Sequence, residues 1–84
     1  MRKLRIVIIE NDEDERFFIK KGFFASGLYE ITHMLNDAEN IVEILKDAHS
    51  PDFLLTDMNM HGKNGFDVLR EIKNTPGVSH IPVI

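Results

Sequence analysis

The chain has no cysteine and no tryptophan, and only one tyrosine and three prolines. Without cysteine there is neither a disulfide framework nor a thiolate metal centre. No apolar run approaches the roughly 18 residues that a membrane-spanning helix requires. The basic start Met1-Arg2-Lys3-Leu4-Arg5 is followed by too few apolar residues for a secretory leader, so cytoplasmic residence and no membrane association are expected. A basic excess is missing as well. Ten Lys and Arg stand against fourteen Asp and Glu, a formal net charge of −4, so direct nucleic-acid binding is not expected. No segment repeats, and 84 residues allow one domain at most.

What is present is an alternation of short apolar runs with amphipathic stretches. Residues 4–9, Leu-Arg-Ile-Val-Ile-Ile, are rich in β-branched side chains and nearly continuous in apolarity, as expected of a strand buried on both faces of a parallel sheet. Asn11 or Asp12 can cap a helix over 13–26 whose acidic first turn suits the positive end of the helix dipole, and Gly27 is a natural left-handed stop. Residues 29–35 suit a second strand. Asn36 or Asp37 then caps a helix carrying Ile41, Ile44, Leu45 and Ala48 on one stripe, ended by His49-Ser50-Pro51. Residues 52–56 form a third strand that ends at Asp57. A turn-rich loop over 58–64 leads to a third helix, with Asn64 and Asp67 spaced as a capping box and Gly65, Val68, Leu69 and Ile72 on one face. Thr75-Pro76-Gly77 reads as a turn, and residues 80–84 begin a fourth strand.

The pattern βαβαβαβ with short connections predicts an α/β fold with a parallel sheet. Ligands of such sheets sit at the carboxyl ends of the strands. Glu10, Asn11 and Asp12 end the first strand and Asp57 ends the third, so neighbouring strands would bring these acids to one pocket. Converging carboxylates repel one another, and a hard cation such as Mg²⁺, which takes oxygen ligands from one or two carboxylates, relieves that repulsion. A carboxylate can also be the nucleophile of a phosphoryl transfer. The alternative for residues 10–15 is a plain acidic helix start, and the residues alone leave both readings open.

The segment Asp57-Met58-Asn59-Met60-His61-Gly62-Lys63-Asn64-Gly65 resembles the response-regulator receiver domain family at Asp57, Met60 and Gly65. The likeness extends upstream to Ile8-Ile9-Glu10-Asn11-Asp12-Glu13-Asp14, and downstream to Val68-Leu69-Arg70-Glu71-Ile72-Lys73 and His80-Ile81-Pro82-Val83-Ile84, and so covers the whole chain. It implies a flavodoxin-like, doubly wound parallel sheet of strand order 2-1-3-4, incomplete and lacking the last helix-strand-helix, so that residues 1–84 are a single partial receiver domain. It further implies that Asp57 accepts a phosphoryl group from a histidine kinase or phosphotransfer protein. Mg²⁺ would be held by Glu10, Asn11, Asp57 and the backbone carbonyl of Asn59. The domain would be a signalling module rather than an enzyme.

Three departures bear on that reading. Asn11 stands where the family carries the aspartate that is its main side-chain metal ligand. His61 stands where proline is usual. The chain stops at Ile84, before the family's Ser or Thr and its Lys; it is either a cut piece of a longer regulator or a naturally short relative, and the end inside an apolar strand favours a cut piece or a truncated reading frame. The alternative is a non-phosphorylated pseudo-receiver used for dimerisation or docking. A dehalogenase-type hydrolase, which needs a second aspartate two residues on, is set aside because Asn59 is there.

On the first helix, Phe17, Phe18, Phe24 and Ala25 share one arc, and Ile19 and Phe23 lie nearly opposite. With one face on the sheet and the last helix missing, Ile19 and Phe23 are expected to face water. The fourth strand is expected to be an open edge, and self-association through it or the first helix follows. His33, His49, His61 and His80 lack metal-ligand spacing, Met58 and Met60 read as packing, and Thr56 as a packed or locally bonded hydroxyl. Lys63 reads as an exposed loop lysine.

Overall fold

A computed structural model describes residues 2–47, 51–57 and 63–84. Its elements, in chain order, are β1 (Leu4–Ile9), α1 (Glu13–Ser26), β2 (Tyr29–Leu35), α2 (Ile41–Asp47), β3 (Phe53–Thr56) and α3 (Gly65–Lys73). The strands form one parallel sheet in the order β2-β1-β3. The chain continues this order on the outer side of β3. There Val83 bridges Leu54, Leu54 N–H donates to Pro82 O at 2.9 Å, and Ile84 N–H donates to Leu54 O at 2.8 Å. The expected fourth strand is thus in its expected place, but pairing begins only at Pro82, because residues 76–80 are spent in turns.

β1 is the central strand, and this explains its continuous apolarity: Ile6, Val7, Ile8 and Ile9 are all buried. Val7 and Ile9 join Ile41, Leu45, Leu54, Val68, Ile72 and Ile81 in one core on the side of α2 and α3. Ile6 and Ile8 alternate to the opposite face, toward α1. Asp52 ties the start of β3 to β1. Its carboxylate accepts from Arg5 N–H at 2.6 Å and from the Arg2 guanidinium at 2.9 Å, and the Arg5 hydrogen bond foremost holds that carboxyl below its ordinary value.

The helix ends follow local chemistry. Asp12 caps α1, accepting from the N–H groups of Asp14 and Glu15, and Gly27 closes it at φ 70°. Asn64 and Asp67 form the expected capping box of α3, whose buried residues are Gly65, Val68 and Ile72. α2 starts later than expected. Asp37 uses its side chain on Glu39 N–H in a turn, and Asn36 accepts from the Arg16 guanidinium, so neither caps that helix. Its expected last residues, Ala48 and His49, lie outside the described residues.

α1 corrects the expected orientation. Ile19 and Phe23 are half-buried against the sheet, with the Phe23 ring 4.8 Å from Tyr29 edge-to-face, whereas Phe17, Phe18 and Phe24 are 62%, 66% and 86% exposed. The reason is electrostatic. The arc of Phe17 and Phe24 also carries Glu13, Asp14, Lys20 and Lys21, and burying it would strip four charges of water. The arc of Ile19 and Phe23 carries less charge and so takes the sheet.

Candidate functional site

The carboxyl ends of β1 and β3 meet where the sequence pattern places its acids. Ile9 pairs with Thr56, and the N–H of the next residue, Asp57, donates to Ile9 O at 3.1 Å. Glu10 is anchored from the other side, its N–H donating to Leu35 O of β2 at 2.9 Å. Two residues from neighbouring strands are therefore fixed side by side by backbone bonds, before either side chain is considered.

Glu10 is buried at 8% exposure, a rare state for a carboxylate. Its Oε1 accepts from Asp12 N–H at 3.0 Å. Burial pushes its carboxyl above the ordinary value near 4.5, and the Asp57 charge and a hydrogen bond shared with the Asp57 carboxyl push it the same way, while the Asp12 N–H pulls it down. Asp57 itself is half-buried. A pair of carboxylates in mutual contact, one buried and one half-buried, offers oxygen donors that fit a hard cation.

The remaining expected ligands fare differently. Asn11 is exposed at the carboxyl end of β1. Asp12 caps α1 instead, its Oδ1 accepting both helix N–H groups. Asn59 lies outside the described residues, as do Met58, Met60, His61 and Gly62. Among the described residues no group of three His, Cys, Asp or Glu side chains gathers as a metal centre. Glu10 and Asp57 are thus the two carboxylates of the site, with Asn11 as a neutral oxygen donor beside them.

Around this pair, Thr56 is buried and its hydroxyl donates to the Asp57 carbonyl at 3.3 Å, the expected local role. Lys63 is half-buried rather than the exposed loop lysine expected: its Nζ lies 2.7 Å from Glu71 Oε2 of α3. Arg16 was not legible as part of this region. It reaches from the first turns of α1 to Asn36 at the end of β2, with its Nε buried and unpartnered among the described residues. No sequence spacing announces a contact that depends on β2 ending beside α1.

The sign of the Glu10 shift gives a pH prediction. A raised carboxyl binds its proton more tightly when folded, so its contribution to stability falls as pH rises from about 4.5 through the raised value. In chelator, Glu10→Gln is expected to melt above the parent at pH 7, with the gap closing toward pH 4 and narrowing when Mg²⁺ is added. Thermal scans in a pH series test this, and a gap independent of pH would refute the buried-carboxyl assignment.

Three comparisons complete the picture. Residues 6–84 match the family model described as the response regulator receiver domain. The chain is 26% identical over 78 residues to the response regulator PleD of Caulobacter vibrioides, covering 93% of this chain and 17% of that protein. It is 28% identical over 83 residues to chemotaxis protein CheY-3 of Vibrio cholerae, covering 99% and 62%. Its backbone superposes with a TM-score of 0.80 on the N-terminal domain of a response regulator receiver protein from Methanoculleus marisnigri, at 25% identity, over 94% of this chain and 62% of that one. The chain therefore spans less than two-thirds of each.

Proposed function

The chain belongs to the response regulator receiver domain family, and from that membership we propose that Asp57 is its phosphoacceptor. The observation that carries this reading is the Glu10–Asp57 carboxylate pair, set by adjacent parallel strands at the carboxyl edge of the sheet. Residues 1–84 are read as one domain, cytoplasmic, that is itself modified and is not an enzyme turning over a separate substrate. Among the described residues no helix is long and apolar enough to cross a membrane.

An Asp57 carboxylate oxygen attacks the phosphorus of a phosphohistidine on a histidine kinase or phosphotransfer protein. The new O–P bond forms as the P–N bond breaks, and the imidazole leaves with that electron pair. The Ile9 carbonyl holds the Asp57 backbone, so the nucleophile is presented at a fixed position. Glu10, Asn11 and Asp57, with the Asn59 carbonyl, would hold Mg²⁺, which neutralises charge on the transferring group when bound. The exposed Phe17, Phe18 and Phe24 of α1 and the edge at residues 82–84, whose outer side pairs with no strand among the described residues, support self-association as a further property.

The test is incubation with acetyl phosphate and Mg²⁺, read by intact mass. A Mg²⁺-dependent phosphoryl adduct is expected on the parent and its complete loss on Asp57→Asn. A second reading, a docking module that is not phosphorylated, is favoured by Asn11 together with the commitment of Asp12 to its helix cap. Absence of the adduct on the parent would select that reading.

A further inference from the structure

The outward face of α1 has a charge order that is complementary to itself when reversed. Glu13, Asp14, Phe17, Lys20, Lys21 and Phe24 fall within one arc of about 120° on a helical projection. All six are exposed, Phe17 at 62% and Phe24 at 86%. The two acids precede Phe17 and the two lysines follow it at the same spacing. None of the four charges enters an ion pair among the described residues. The Lys21 ammonium instead leans over the Phe17 ring, 6.0 Å from its centroid.

We infer that two copies of this chain pair antiparallel through this face of α1, with Phe17 against Phe17 on the twofold axis. Glu13 then stands beside Lys20 of the second copy and Asp14 beside Lys21, each pair on one side of the seam and about 4.5–6 Å along the helix from the axis. The twofold repeats both pairs, so four unlike-charge contacts flank one aromatic contact, as an isologous interface requires. A parallel arrangement sets Glu13 against Glu13 and Lys21 against Lys21, so charge selects the orientation. A phenylalanine contributes about 150–250 Å² when covered. The two Phe17 rings, with the lysine stems beside them, make a small contact at the low end of interface sizes, that of weak and reversible complexes. The inference makes specific the self-association proposed above, and does not depend on phosphorylation of Asp57.

The test is sedimentation velocity of the 84-residue chain from tens to several hundred micromolar. The parent is expected to dimerise in that range, less at high salt, and Phe17→Gln to weaken the dimer at least tenfold. The double variant Lys20→Glu/Lys21→Glu and the double variant Glu13→Lys/Asp14→Lys are each expected to be monomeric, and their equal mixture to dimerise again. Far-UV circular dichroism checks the second double variant, which reverses charge in the first helical turn. Phe17→Gln and the lysine variant leave the cap intact and carry the test if it misfolds. Ile84→Lys is expected to leave the dimer unchanged. A parent monomeric throughout overturns the inference. So does a dimer that survives Phe17→Gln, and loss of the dimer in Ile84→Lys alone would move self-association to the sheet edge.

Discussion

Leu54→Ala is expected to remove a large part of the chain's stability at 25 °C. Leu54 is fully buried, pairs with Val7 of β1 and bridges Val83, so it joins the central strand to the outer segment as well as filling the core. Removing a buried leucine side chain costs about 2–5 kcal/mol through lost transfer energy and the cavity left behind. A chain of this size has a total stability of roughly 4–13 kcal/mol. β3 has only four residues, so little else holds this side of the sheet. Urea denaturation followed by circular dichroism measures the effect. A loss well under 2 kcal/mol would mean that residues 82–84 and α3 close over the cavity, and that the core is softer than its full burial implies.

How much of this was legible in the sequence depends on how local the cause is. β1 shows as an apolar run because it is buried on both faces, and α1 and α3 show their ends because Asp12, Gly27, Asn64 and Asp67 act on backbone atoms a few residues away. α2 was placed too early because Asn36 and Asp37 are good caps that found other partners, one of them the distant Arg16. The facing of α1 was misjudged for a different reason. The arc of Phe17, Phe18 and Phe24 carries more rings than the opposite one, but the cost of burying Glu13, Asp14, Lys20 and Lys21 beside them exceeds the gain from those rings.

The site shows the same division. That Glu10 and Asp57 would meet followed from two strand ends once β1 and β3 were neighbours, and the topology makes them so. Which acid beside Glu10 is available to a ligand was not legible. Asn11 and Asp12 are adjacent in sequence and both exposed, but one Asp12 carboxylate oxygen is engaged by two helix N–H groups. The fate of Lys63 was hidden too, since its partner Glu71 lies two helical turns into α3.

Asn11→Asp is expected to tighten Mg²⁺ binding by about tenfold, or 1.4 kcal/mol. A full charge added within about 4 Å of a cation gains on the order of 4 kcal/mol per unit of cation charge at an effective dielectric near 20. Most of that gain is offset, because a third carboxylate beside Glu10 and Asp57 raises the affinity of the metal-free pocket for protons, which compete with the metal. The same repulsion lowers the stability of the metal-free chain at pH 7, so the variant should melt below the parent in chelator and gain more on adding Mg²⁺. Asp12→Asn is the control: asparagine caps a helix as well as aspartate does, so both stability and Mg²⁺ affinity should stay close to the parent. Isothermal titration and thermal scans with and without Mg²⁺ measure both. If Asn11→Asp leaves the affinity unchanged, residue 11 does not face the ion, and Glu10 and Asp57 alone define the cation's side-chain ligands. If Asp12→Asn is the variant that loses affinity, the cap carboxylate is shared with the metal, and the division of labour between residues 11 and 12 is the reverse of the one drawn from the hydrogen bonds.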